Sequence, residues 1–461
     1  MNAHRNVRAV RKVAQAFRPA PAVTAALKGC TTTVPPALRS CVAVALICCS
    51  ATSVVAQTRL TLKDAEKIAV ERNPRVRAGE YAALAATESI REAKSAYFPT
   101  AFGSFTGAGA MDGTRIAAGG LNNPTILDRF AGGFAVSQLI TDFGRTQQLV
   151  QSSTLTADAR EKDVDARKAD VLLQVDRAYF NALRAQAVLR VAEQTVAARQ
   201  LVADQVDALA ASNLKSGLDV SFAKVNLSEA RLLLVQAQND VQGAYATLSA
   251  ALGSPQTMAY SLAEEDVPPA PEASGDSLVA RALRERPDVV SQRLANRAAQ
   301  SFAAAERNLW MPSLSLVGVG GFTPYHQVGL TDRYSAAGVT VTIPLSNGNL
   351  YSARHAEAAF RAQAEDQTVR DLENRVARDV TIAWLNARTA YQRLDLTSQL
   401  LAQASAALDL AQGRYDLGLS SIVELTQAQL NKTAAEIAQA TARYEFQSTV
   451  AALRYETGEL K

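Results

Sequence analysis

Cysteine and histidine most often carry nucleophilic, redox or metal chemistry, and in this chain both are few and scattered. The four cysteines, Cys30, Cys41, Cys48 and Cys49, all fall within the first fifty residues. Beyond them stand His326 and His355, neither paired with the other nor near a cysteine, so no metal-ligand spacing arises. The triplet DFG at Asp142–Gly144 lacks every other kinase element and reads as a turn from strand to helix. Glycines between Gly107 and Gly113 miss the spacing of a dinucleotide loop. The NLS tripeptide at Asn226 matches a glycosylation acceptor but falls in a helical stretch. No nucleophile, base and orienting group form a set. The chain is therefore expected to be no enzyme, with no catalytic residues, no cofactor and no bound metal.

Charge points the same way. Residues 1–56 hold seven Lys or Arg and no acid. They contain an apolar run, Cys41–Cys49, followed by small residues at Val54 and Ala56. That is the layout of a secretory signal, and the run is too short for a comfortable membrane span. Ile47 before Cys48, and Cys48 before Cys49, are not the small residues that lipid anchoring of a cysteine prefers. Without the leader, 41 basic residues of the 48 face 44 acids, a formal net of −3. Nucleic acid is not an expected partner. Nor does any later apolar run reach the length of a transmembrane helix, so a membrane-spanning part would have to be a β-barrel.

The elements are announced by repetition. Pro74 and Pro99 recur as Pro287 and Pro312, with the same spacing inside each pair and one common offset between the pairs. Val171, Val175, Ala178, Ala182, Ala185, Leu189, Ala192 and Val196 step by four and three, a heptad seam. Moved along the chain by a constant offset, the seam becomes Val376, Val380, Ala383, Ala387, Ala390, Leu394, Thr397 and Leu401. The chain is thus a duplication. Long helices are predicted over 144–213 and 349–416, each about 105 Å at 1.5 Å per residue. Half-length helical stretches are predicted at Leu62–Tyr97, Leu218–Leu252, Asp276–Trp310 and Ser420–Thr457, two of them end to end along each long helix. The tip turns are SNLKSGLD and YDLGLSS, where Gly217 with Leu218 and Gly418 with Leu419 stand, the glycines supplying the freedom to end a helix. The predicted organisation is a leader at 1–56, a first repeat at 57–253, a proline-rich outer strap at 254–277 and a second repeat at 278–461.

Between the short and long helices the period changes to two. Strands are predicted at 100–109, 129–140, 313–322 and 334–345, with apolar residues on one face. Each is about long enough to cross a tilted bilayer path. Pro99 and Pro312 cannot donate to a helix ladder, and they convert helix into strand at one height. Tyr97, Phe98 and Trp310 just before them suit an aromatic belt where the chain meets a membrane surface. Four strands cannot close a barrel, whereas three chains supply twelve. The expected fold is mainly helical with membrane β structure. It is a trimeric 12-stranded β-barrel continuous with an α-helical barrel.

With these features in order, the sequence resembles the TolC-like outer-membrane efflux family. The resemblance runs from about Leu60 to Gly458 and rests on NPRV…SAYFPT with RPDV…NLWMPSLSL, on TVTIPLSNGN and on GRYDLGLSSIVELTQAQL. It implies a homotrimer in the outer membrane of a Gram-negative bacterium. It also implies an exit duct for a tripartite efflux pump or type I secretion system, joined to a periplasmic adaptor and an inner-membrane transporter. By motif position it implies a gate, with Tyr415 as the tyrosine that holds the tip closed and Glu424 as the first acid of a constriction. Gln427 stands where many members place a second acid, and Ser420 where a tethering arginine can occur. In the first repeat Ala223 is read as the position equivalent to the acid, with Asp219 nearer the turn. The alternative from the residues alone is the periplasmic coiled-coil adaptor, which should have a single hairpin flanked by compact β domains, not two hairpins each interrupted by a strand pair.

Overall fold

The computed structural model describes residues 59–109, 129–258, 260–271, 274–326 and 331–460. The leader, residues 110–128 of the first outward connection and residues 327–330 of the second lie outside the described residues. The first half contains β1 (Arg59–Leu60), α1 (Leu62–Arg72), α2 (Pro74–Ser95), β2 (Thr100–Ala108), β3 (Arg129–Thr141), α3 (Arg145–Ala211) and α4 (Gly217–Ala251). The second contains β4 (Ser261–Leu262), α5 (Gly275–Glu285), α6 (Pro287–Arg307), a 3-10 turn at Asn308–Trp310, β5 (Ser313–His326), β6 (Arg333–Thr342), α7 (Leu350–Asp416) and α8 (Ile422–Glu456). The step from Pro74 to Pro287 is longer than the step from Arg145 to Leu350. The first outward connection is therefore the longer of the two, and the helices on either side of the sheet keep constant offsets.

One predicted pair of elements splits. The stretches Leu62–Tyr97 and Asp276–Trp310 are each two helices, because Asn73 and Arg286 adopt extended backbone before their prolines (ψ 123° and 126°). Proline disfavours the helical region for the residue before it and is at home at the first helical position. Asn73 also caps α2, its Oδ1 accepting from Arg75 N at 2.9 Å. α2 and α6 run along the long helices toward the sheet, while α1 packs against α3 and α5 against α7.

α3 and α7 are 67 residues each, about 100 Å long at 1.5 Å per residue. Toward the tips, α3 lies between α4 and α8, and α7 lies against α8; toward the sheet, α3 contacts α2 and α6, and α6 contacts α7. The heptad seam is buried near the middle of both long helices, with Val175 and Val380 fully enclosed, and half-buried toward the tips at Leu189, Val196, Leu394, Thr397 and Leu401. Alanine at the seam lets the helix axes approach closely. α4 ends where α2 begins, with Asn73 Nδ2 donating to Ala251 O at 3.4 Å. α8 likewise ends against α6, with Arg286 gripping both Glu456 and Asp288.

At that joint a belt crosses the helices. β1 and β4 form a two-residue parallel ladder that pins the strap to the start of the first repeat. The Tyr179 hydroxyl of α3 sits 2.9 Å from Leu60 O and 2.7 Å from Ala263 O, and burial pushes its pKa up to about 12. Gln447 of α8 donates to Glu265 O and Asp266 O at 3.0 and 3.2 Å. The belt covers the core that includes Leu60, Ala69, Leu248 and Phe180.

Beneath the belt, Asp176 of α3 is fully buried against the Glu66 carboxylate of α1, and among the described residues no amide, hydroxyl or cationic group donates to it. Burial first, and then the facing Glu66 carboxylate of α1, push its pKa up to about 7, with Arg454 of α8 opposing. Unfolded, the group titrates near 3.8, so the unfolded chain gives up this proton first. Stability is therefore expected to fall as pH rises from about 4 to about 7 and to stay low above it. In Asp176→Asn an amide donates to Glu66 at every pH. Thermal unfolding followed by circular dichroism should then show a gain of about 4 kcal/mol at pH 8 and almost none at pH 4. A variant whose pH profile matches the parent's would refute this.

The sheet is antiparallel in the order β2-β3-β5-β6. Its pairing puts Phe105, Phe134, Leu316, Phe322, Val339 and Val341 on one face. Hydroxyl and small residues such as Thr100, Ser137, Ser315 and Thr340 dominate the other. Rings lie over backbone rather than over side chains. A Cβ on Gly132 would meet the Phe105 ring at 2.7 Å, and one on Gly320 would meet Phe134 at 3.0 Å. The glycines thus let aromatics lie flat on the strands. Among the described residues, β2 and β6 each pair on one side only.

Candidate functional site

The two ends of the long helices carry the residues singled out in the sequence. At the sheet end, α2 stops at Ser95, and Pro99 directly precedes β2; α6 stops at Arg307, and Pro312 directly precedes β5. Tyr97, Phe98 and Trp310 are exposed there, at 49%, 66% and 41%. Trp310 stands edge-on to Tyr351 of α7, with ring centroids 5.6 Å apart. Gln138 of β3 donates to Tyr97 O at 2.9 Å, fixing helix end to strand. Below the sheet, Glu306 is buried between Arg354 at 2.8 Å and Arg145 at 3.9 Å, so one carboxylate ties the starts of both long helices together. Sequence reasoning missed that triad.

At the opposite end the chain turns twice. The α7–α8 turn is closed by Leu419 N donating to Arg414 O at 2.8 Å and Gly418 N to Tyr415 O at 3.0 Å, with Gly418 at φ +74°. This left-handed residue is one glycine adopts without strain. In the α3–α4 turn the corresponding residue is Asn213 at φ +57°, with Leu214 N donating to Leu209 O at 2.9 Å. Gly217 does not end α3, as expected from the sequence; it opens α4. Asn213 and Gly418 are separated by the same offset as the two seams, so the signal was the offset itself. Ser216 and Asp219 form a reciprocal capping box at the start of α4, and Ser421 caps Glu424 N at 3.3 Å. By that offset the counterpart of Glu424 is Asp219, and Ala223 matches Ala428 instead.

Leu218 and Leu419 project at the tips, 66% and 68% exposed, beside Leu214 and Leu417 at 70% and 75%. Between the turns the two hairpins join. Tyr415 is buried among Ala203, Val206 and Leu227 of the first hairpin and Leu425 of its own. The Lys215 ammonium lies 4.2 Å from its ring centroid, and the Tyr415 hydroxyl has no hydrogen-bond partner among the described residues. Asn226 Nδ2 donates to Thr426 Oγ1 at 2.9 Å. Further along, buried Arg199 of α3 donates to Gln429 of α8. Burial lowers its pKa against the pull of Glu229.

Glu424 faces Arg414 across its own hairpin at 3.3 Å. Gln427 lies on the same side of α8, donating to Asn431 at 3.0 Å. The two share one groove with Leu410, so the structure brings Glu424 and Gln427 together, and Tyr415 sits apart in the core. The Ser420 hydroxyl is buried without a partner among the described residues.

A sheet of bilayer-length strands at one end of side-by-side helices near 100 Å long defines the subunit of an outer-membrane channel. The model of the family described as Outer membrane efflux protein matches residues 67–254 and 278–459. The chain belongs to that family. It is 25% identical over 387 residues to the outer membrane efflux protein BepC of Brucella suis, covering 81% of this chain and 80% of the relative. Its fold is similar to that of the outer membrane protein VceC of Vibrio cholerae (TM-score 0.73, 18% identity, 86% of this chain and 96% of that one). It is likewise similar to the open state of the MtrE outer membrane channel of Neisseria gonorrhoeae (TM-score 0.70, 20% identity, 86% and 88%). The protein is thus an outer-membrane efflux channel with a periplasmic helical extension, and the adaptor alternative falls away.

Proposed function

We propose that three copies of this chain close into one duct, the outer-membrane exit of a tripartite pump with a periplasmic adaptor and an inner-membrane transporter. The observation that carries this reading is that both flanks of the subunit are unfinished. β2 and β6 are open edges, which invite pairing with another chain. Beneath them, α7 exposes Leu396, Leu400 and Leu410 at heptad positions, and α4 on the other flank exposes Leu218, Phe222, Val225 and Leu232. One flank on the next, repeated by a closing rotation, buries both stripes and pairs both edges. Twelve strands make a barrel with its apolar face in outer-membrane lipid. Native mass spectrometry of detergent-extracted protein tests this: three chains are expected, and a single chain refutes it.

The tip is the gate in this reading, and the exposed leucines around it are the adaptor's footing. Tyr415 holds the hairpins together in the core, and Glu424 with Gln427 lines a separate groove on the same hairpin, the two parts of the gate that the family resemblance suggests. Tyr415→Ala empties a packed site and removes the Lys215 contact, a local loss of about 3 kcal/mol. Single-channel recordings in planar bilayers are expected to show longer open times and higher mean conductance than the parent. Unchanged recordings would remove Tyr415 from the gate.

A further inference from the structure

A groove of about 860 Å³ lies where α4 meets α2, walled by α3 and α8. Its α3 wall is the stripe Gln174, Arg177, Asn181 and Arg184. At 100° per residue that stripe lies roughly 150° around the helix from Asp176 and Tyr179, which face the belt. The groove is therefore on the side of the helices turned away from the belt.

Its charge is one-sided. Arg75, Arg177 and Arg184 line it, and the only acid in its wall is Glu445. Both oxygens of Glu445 are taken by Arg393 at 3.0 Å. Arg75 and Arg184 spend donors on neutral partners, Gln174 at 3.3 Å and Asn181 at 2.6 Å. Arg177 makes no hydrogen bond or ion pair among the described residues. A smaller recess of about 300 Å³ shares Arg177 and contains Asp379 and Glu456. Those acids are engaged by Arg378 and Arg286. A chain that is net negative without its leader thus holds three guanidinium groups with no free acid around one concavity. Phe180 and Tyr444 contribute aromatic walls, and Ala250 and Ala251 aliphatic ones.

We infer that this groove binds organic anions: a sulfonate, sulfate or carboxylate carried on an aromatic or aliphatic body. Guanidinium groups match such headgroups with paired N–H donors, and the apolar walls take the body. The volume is that of a small-molecule site. The inference rests on the duct reading for its meaning, because only in a passage does the groove meet cargo. It then captures anionic cargo briefly at mid-height, and salt weakens it because the arginines are exposed.

The test is calorimetric titration of the full-length protein in neutral phosphatidylcholine nanodiscs with naphthalene-2-sulfonate. A Kd below about 1 mM is expected, with affinity at least about tenfold weaker in Arg177→Gln/Arg184→Gln and unchanged in Arg91→Gln, outside the groove. Inorganic sulfate is expected to bind at least about tenfold more weakly than the naphthalene compound. No binding, equal binding by the double variant, or equal binding by sulfate overturns the inference. Native mass of the same samples reports assembly separately, so loss of binding in an intact trimer leaves the duct reading standing.

Discussion

Leu400→Glu combined with Leu410→Glu is expected to leave the protein monomeric. Both side chains sit on the α7 stripe, 52% and 71% exposed in the single chain. Neither contributes to the buried seam of Val376, Val380, Ala387 and Ala404, so the subunit itself should still fold. In the proposed ring each leucine meets the neighbour's α4, and burying one is worth about 2 kcal/mol. A carboxylate in its place loses that gain and adds desolvation without a partner. Two such changes cost several kcal/mol per interface, and symmetry repeats them three times. Native mass spectrometry should find single chains, and circular dichroism should find the helix content intact. A trimer with unchanged thermal midpoint would show that α7 is not an interface. The same two changes should abolish efflux in cells, since a third of a wall conducts nothing selectively.

Gly321→Ala is expected to stop the sheet from forming, while Gly318→Ala, on the same strand, does nothing. An added Cβ at Gly321 would fall 2.5 Å from Gly132 O and 2.5 Å from the Tyr334 hydroxyl. The first of these atoms is backbone, so no side-chain rearrangement relieves it. At Gly318 nothing lies within 4 Å. Overpacking of this kind costs about 3 kcal/mol or more. Tyr334→Ala does not rescue Gly321→Ala, because the carbonyl remains. Heat-resistant trimer on gels of outer-membrane fractions is the measurement: near-complete loss for Gly321→Ala, parental levels for Gly318→Ala. Equal levels would mean that the strands do not approach as described.

These cases show where a sequence speaks and where it is silent. Long-period signals were clear: the heptad seam and the proline pairs gave the duplication and the helix-to-strand change at Pro99 and Pro312. The break at Asn73 was written in Asn-Pro followed by a helical pattern, a start signal that continuous alanine-rich periodicity hid. The β1–β4 ladder has two residues per strand, too few to show any period. Asp176 looks like an ordinary helix acid, and its partner Glu66 sits on a different helix, far back along the chain. The groove arginines are equally silent, since each looks like a solvated helix charge. At the tip, the exchange of Asn213 for Gly418 misdirected attention to Gly217. The correct equivalence needed the uniform offset between the repeats, not the nearest glycine.

The joint where α4 abuts α2 and α8 abuts α6 has a mechanical consequence. At that level only α3 and α7 pass through unbroken, so half the rods are cut at one height. Bending stiffness is lowest there, and torsion applied at one end is absorbed before it reaches the other. Twisting the hairpin tips apart therefore leaves the embedded strands unstrained, and the belt around the joint acts as a hoop that keeps the compliant section from bulging. A cross-link across the tips should accordingly leave the strand register untouched.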